Sequence, residues 1–306
     1  MGYRKTALIC LLACTLIGAK PPSGSVDPQV AYVILTGPGF ELRVSNEDGT
    51  NLTTLYKSPA PIRIDLAPRG QHQIAITDDK ALKLLTYGVN GSGAFVTTQV
   101  DTLYTDVSRL YYVDISPNGR LIGFAADNGQ DLMVYDLDQA AGPDNPRKWT
   151  TTTYVWDLTW FRTGNSIAYV VPADGVQRYD LYEITGPGTV PTLIHSERNI
   201  DMLDASRTNS DALVLSYNDV AGNALVGLWE APTLADPDGG FLQTNLTNRS
   251  VAFKGTLNCD DSKLAYGAPD KNGQTVWYIR NLLQNTEKLY TKTPRVNWTQ
   301  FWPTCN

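Results

Sequence analysis

The sequence predicts an all-β protein: a six-bladed β-propeller of four-stranded antiparallel blades. Three observations carry this. One pattern returns six times, as a short apolar stretch, a turn, a strand, a tight hairpin and another strand. Its clearest copy is YVDISPNGRLIGFAADNGQDLMVYDLD, from Tyr112. Aligned on the apolar residue before the first turn, the copies fall at Leu66, Ile115, Trp160, Ala205, Leu257 and Phe301, separated by 49, 45, 45, 52 and 44 residues. Propeller blades repeat at this period, each repeat forming one small sheet. Finally, no apolar stripe of helical period and length occurs after residue 30.

Each element of a blade has its own signal. The third strands read FELRVS, ALKLLTY, LMVYDL, YDLYEI, ALVGLWE and TVWYIRNL, rich in β-branched, aromatic and aliphatic residues. The hairpins before them carry turn chemistry. Asn128-Gly129 and Asn272-Gly273 predict type I′ turns, in which both central residues need positive φ. Asp174-Gly175, Gly222-Asn223 and Pro38-Gly39 are similar, and Asp78-Asp79 is the weakest signal. Fourth strands follow as TTLYK, VTTQVD, KWTTTT, TLIHS, FLQTNLT and KLYTK. The first copy opens at about Val30 with a second strand, AYVILT, and the last stops just after a first strand. The C-terminal strand is therefore expected to complete the N-terminal blade and close the ring without an open edge.

Residues 1–19 read as a secretory signal: Arg4 and Lys5, an apolar run from Ala7 to Ile17, and a cleavage site at Ile17-Gly18-Ala19. The run is too short to span a membrane. Residues 20–29 are a linker and residues 30–306 the propeller. A second reading stays open, since Leu11-Leu12-Ala13-Cys14 is similar to a lipoprotein box that would attach lipid at Cys14. The expected location is periplasmic or secreted, at a membrane only through such an anchor. Loss of the signal takes Arg4 and Lys5 and moves the net charge from −6 to −8, which argues against nucleic-acid binding. Cys259 and Cys305 remain, both at first turns of blades adjacent across the closure. They form a disulfide or stay separate thiols, depending on their distance.

Catalytic motifs are scarce. His72 and His195 are the only histidines, on a turn and an outer strand, and are not expected to converge. There is no G-x-S-x-G, H-E-x-x-H or P-loop. One constellation stands out. The residue before each aligned apolar position is Asp65, Asp114, Thr159, Asp204, Thr256 or Gln300, polar every time. Period-two alternation would gather these six as a binding ring at the central channel. Its three carboxylates would suit Ca²⁺, or the ring is a wet channel that holds blade register. No other cofactor is expected.

Ile115-Ser116-Pro117-Asn118-Gly119-Arg120-Leu121-Ile122-Gly123-Phe124 resembles the W-S-P-D-G-x-x-I-A-F signature of TolB-type WD40-like repeats. Partial copies lie at Leu66–Gly70, Trp160–Gly164 and Leu257–Asp261, and Ser45–Thr53 resembles the family's outer hairpin. The resemblance covers about residues 30–306 and implies an exported propeller that binds a partner on one face or at the channel mouth. TolB's preceding α/β domain has no counterpart in the sequence. The expected function is a monomeric, non-enzymatic scaffold for an envelope or extracellular protein. The alternative is a glycan-binding protein, or an enzyme acting on polysaccharide with channel carboxylates.

Overall fold

The computed structural model describes residues 30–291, except 69, 174–177, 199, 201, 210–211, 220, 231–243, 248 and 259. Six antiparallel sheets follow one another along the chain. Blade one has three described strands, β1 (Val30–Thr36), β2 (Gly39–Ser45) and β3 (Thr53–Ser58). Blade two is β4 (Ile62–Leu66), β5 (Gln73–Asp78), β6 (Ala81–Val89) and β7 (Phe95–Thr105). Blade three is β8 (Tyr111–Ile115), β9 (Leu121–Ala126), β10 (Asp131–Asp136) and β11 (Arg147–Thr151). Blade four is β12 (Asp157–Trp160), β13 (Ile167–Pro172), β14 (Arg178–Ile184) and β15 (Thr192–Arg198). Blade five is β16 (Met202–Ala205), β17 (Ala212–Asn218), β18 (Ala224–Glu230) and β19 (Thr244–Asn245). Blade six is β20 (Phe253–Leu257), β21 (Lys263–Pro269), β22 (Thr275–Asn281) and β23 (Thr286–Thr291).

The first strands β4, β8, β12, β16 and β20 lie side by side at the centre. Apolar layers seal the blades. Trp160, Trp229 and Trp277 are fully buried, and burying a large apolar side chain contributes about 1.5–3 kcal/mol. Val30, Tyr32 and Ile34 of blade one pack on Ala265, Trp277 and Ile279 of blade six, so the ring meets end to end. Ser45 and Tyr290 hydrogen-bond across the same seam. The C-terminal strand expected to complete blade one lies outside the described residues.

Two hairpins differ from expectation. Asn128-Gly129 sits in a four-residue connection where Asp127, Asn128 and Gly129 all have positive φ. At Asn272-Gly273 only Gly273 does, so this is not a type I′ turn. There the Asp270 carboxylate accepts the Asn272 and Gln274 amides and shapes a longer loop. The hairpin with the weakest signal is nonetheless tight, with Asp78 paired to Ala81 across two residues, as Thr36 is to Gly39. Asp79 takes the left-handed conformation there, which a short Asp tolerates.

Candidate functional site

The first strands bring Asp65, Asp114, Thr159, Asp204 and Thr256 to the centre, each 6% exposed or less. The layer is buried, and its carboxylates join blades. Asp65 Oδ2 accepts the Ile115 amide of blade three at 2.6 Å. Asp114 Oδ2 accepts the Trp160 amide of blade four at 2.6 Å. Asp204 Oδ2 accepts the Leu257 amide of blade six at 2.8 Å and the Thr256 hydroxyl at 2.7 Å. Thr159 does not do this for the joint between blades four and five. Asp157, two residues earlier on the same strand face, accepts the Leu203 amide at 2.8 Å. Each joint from blade two to blade six thus carries at least one carboxylate-to-amide bond, and at the last Asp261 also accepts the Arg207 and Thr208 amides. Charge-assisted bonds of this kind contribute about 1.5–3 kcal/mol.

One guanidinium faces these carboxylates from within the chain. Arg207 folds back from the turn after β16 and donates to Asp204 Oδ1 at 3.0 Å. Burial works against its charge, yet Asp204, Asp114, Asp65 and Asp261 hold its pKa above the usual arginine value. Burial pushes Asp204 upward. It pushes Asp65 well above the carboxylate range, with help from the neighbouring Asp114. Asp114 is raised by burial too. Among the described residues no three metal-ligating side chains gather as a cation site. Gln300, Cys14, Cys259 and Cys305 lie outside the described residues.

One layer nearer the face where the first strands begin, the register is Arg63, Tyr112, Asp157, Met202 and Lys254. Tyr112 and Lys254 both have positive φ, 31° and 56°, and both sit in β-bulges. They occupy the same register in blades three and six, opposite each other across a ring of six. Bulges at a rim re-aim side chains. In β8 the neighbours Tyr111 and Tyr112 stack at 6.3 Å, where a regular strand would place them on opposite faces.

From that stack an arc of rings crosses the face. Tyr111 meets Tyr154 at 5.8 Å, Tyr154 meets Trp156 at 6.0 Å, and Trp156 meets Tyr179 at 5.5 Å. All four are half-buried. At one end the Arg63 guanidinium lies 5.8 Å from the Tyr112 ring centre, its pKa pulled down to about 10 by burial. At the other end a cleft of about 360 Å³ opens between Trp156, Tyr179, Tyr217, Asn218 and Phe253. A more polar hollow of about 520 Å³ lies on the opposite face, by Gln71, Asn118 and Arg120.

His72 packs against Tyr87 in blade two, and His195 lies on β15 in blade four. Asp157, Arg207 and the aromatic arc are absent from the residues expected from sequence. Asp157 was within reach of the alternation that marked Thr159. The arc carries no such signal, since its rings come from a bulge, a connecting loop and a third strand.

No protein-family model and no curated protein matches the chain. Solved structures do. TolB from Acinetobacter baumannii superposes with a TM-score of 0.61 at 14% identity, covering 92% of this chain and 68% of that one. A TolB-type structure from Agrobacterium tumefaciens gives 0.59 at 13% identity, covering 87% and 89%. A chain of a nidogen/laminin complex gives 0.57 at 12% identity, covering 87% and 95%. At these identities the likeness is one of fold, a six-bladed propeller shared with TolB and with the nidogen/laminin chain.

Proposed function

We propose that this propeller is an exported, non-enzymatic binding scaffold that engages a partner protein of the cell envelope or exterior. Its binding surface is the face where the first strands begin. The observation that carries the reading is the half-buried arc Tyr111, Tyr154, Trp156 and Tyr179, with Arg63 at its end. Tyr, Trp and Arg dominate the energy of protein interfaces, because they bury large area and keep a polar handle. The central carboxylates support a non-catalytic reading, since they are buried and bonded between blades.

The test is capture of partners by immobilised residues 20–306 from the cell envelope under mild crosslinking, beside Tyr111→Ala and Tyr154→Ala. A recurrent protein lost by both variants, at unchanged melting temperature, supports the reading. An interface anchor should cost about 2 kcal/mol or more, about thirtyfold in Kd. A partner bound equally by both variants moves the interface to another surface. The aromatic cleft with the Asn218 amide at its edge favours one alternative, a glycan. Retained polysaccharide with no protein would select it.

A further inference from the structure

The cleft at the far end of the aromatic arc has a lining of unusual uniformity. It encloses about 360 Å³ between blades four, five and six, at the small end of ligand pockets. Trp156 and Tyr179 supply its blade-four side. Their ring centres lie 5.5 Å apart with planes at 60°, so the two rings meet as a corner and not as a flat platform. Tyr217 lines it from blade five and Phe253 from blade six. Ser216 and Asn218 are the neutral polar members, and no described lining residue carries a charge. Aromatic faces are the negative side of the ring quadrupole and attract a cation without offering it hydrogen bonds. An ordinary ammonium keeps N–H groups that need acceptors. A fully alkylated one needs none and gives up its water more readily.

We propose that this cleft binds a small quaternary ammonium group, carried by a free solute or by a lipid headgroup. Charge around the cleft has the matching sign. The chain as a whole is at −6, which raises the local concentration of cations. Asp157, Asp180 and Asp219 stand next in sequence to Trp156, Tyr179 and Asn218. Asp219 accepts the Asn223 amide and side chain at 2.8 and 2.9 Å, and these bonds hold its carboxyl below the usual range. Two cations are also near in sequence. Arg178 is ion-paired with Asp180 at 3.4 Å, and Lys254 follows Phe253 in the channel layer. The inference is independent of the protein-partner reading, because Tyr111 and Tyr154, on which that test turns, do not line the cleft.

The experiment is calorimetric titration of the intact chain with choline chloride, at constant ionic strength, beside neohexanol, the uncharged isostere with carbon in place of nitrogen. Choline should bind about tenfold or more tightly than neohexanol. Trp156→Ala and Tyr179→Ala should each weaken choline about tenfold, and Tyr179→Phe should not, since it keeps the ring face. Vesicles of phosphatidylcholine and of phosphatidylglycerol then separate the two sources. Binding to the first alone, displaced by choline, assigns the lipid headgroup. Choline binding without vesicle binding assigns a free solute. No choline binding overturns the proposal. Neohexanol binding as tightly as choline overturns it too, as does choline binding unchanged in both alanine variants. If those variants do not fold, the choline and neohexanol pair decides on the wild-type chain.

Discussion

Asp114 holds Trp160 twice. Its Oδ2 accepts the tryptophan amide at 2.6 Å, and its backbone carbonyl accepts the indole Nε1–H at 3.2 Å. One residue of blade three thereby fixes both the backbone and the ring of a fully buried residue in blade four. Trp160→Phe keeps the first bond, loses the second and leaves a gap against Ile167 and Leu158. The expected cost is about 2–3 kcal/mol, read as a lower urea midpoint at unchanged m-value.

Removing the partner of a buried charge costs more than removing a neutral bond. Asp204→Ala strips Arg207 of its bonded carboxylate and orphans the Leu257 amide and Thr256 hydroxyl. We expect a loss of about 3–5 kcal/mol. Asp204→Asn retains an acceptor and should lose less. Comparison of the two by chemical denaturation separates charge from hydrogen bonding.

At the joint between blades one and two the carboxylate is shifted in the opposite direction to Asp65. Burial works against the Asp78 charge, but Lys83, Ser58 and Tyr56 hydrogen-bond to it and hold its pKa below the usual range. Its stabilisation is present above the ordinary carboxylate range and is lost as pH falls through the depressed value. Asp78→Asn should flatten the acid limb of a melting-temperature profile and leave the limb above neutrality unchanged.

Gly255 tests how tightly blades five and six meet. A Cβ there would lie 2.3 Å from Val226 Cγ1, on a buried, β-branched side chain with little freedom to turn away. Gly255→Ala should cost about 1–3 kcal/mol. Val226→Ala in the same chain should recover part of it, measured as a double-mutant cycle. Additive effects would show that the contact relaxes freely.

Much of the fold was legible because its signals are local. The aligned residues Leu66, Ile115, Trp160, Ala205 and Leu257 close or nearly close five first strands, as the repeat requires. Turn types were less legible. Asn272-Gly273 yielded to Asp270, a capping carboxylate two residues away. Of the central layer, the alternation located the positions but not the atoms each side chain meets. Thr159 has the right position and the wrong chemistry for a latch, and Asp157 serves that joint from the next turn of the same alternation.

The sequence alone determined a repeat of six, strands of period two and a polar residue before each aligned apolar one, because all three are written within a few consecutive residues. Tertiary structure decided what those residues do. Asp65 meets Ile115 and Asp114 meets Trp160 at separations of 50 and 46 residues, distances at which side-chain spacing along the chain specifies no contact. The arc from Tyr111 to Tyr179 exists because a bulge, a connecting loop and a third strand converge on one face.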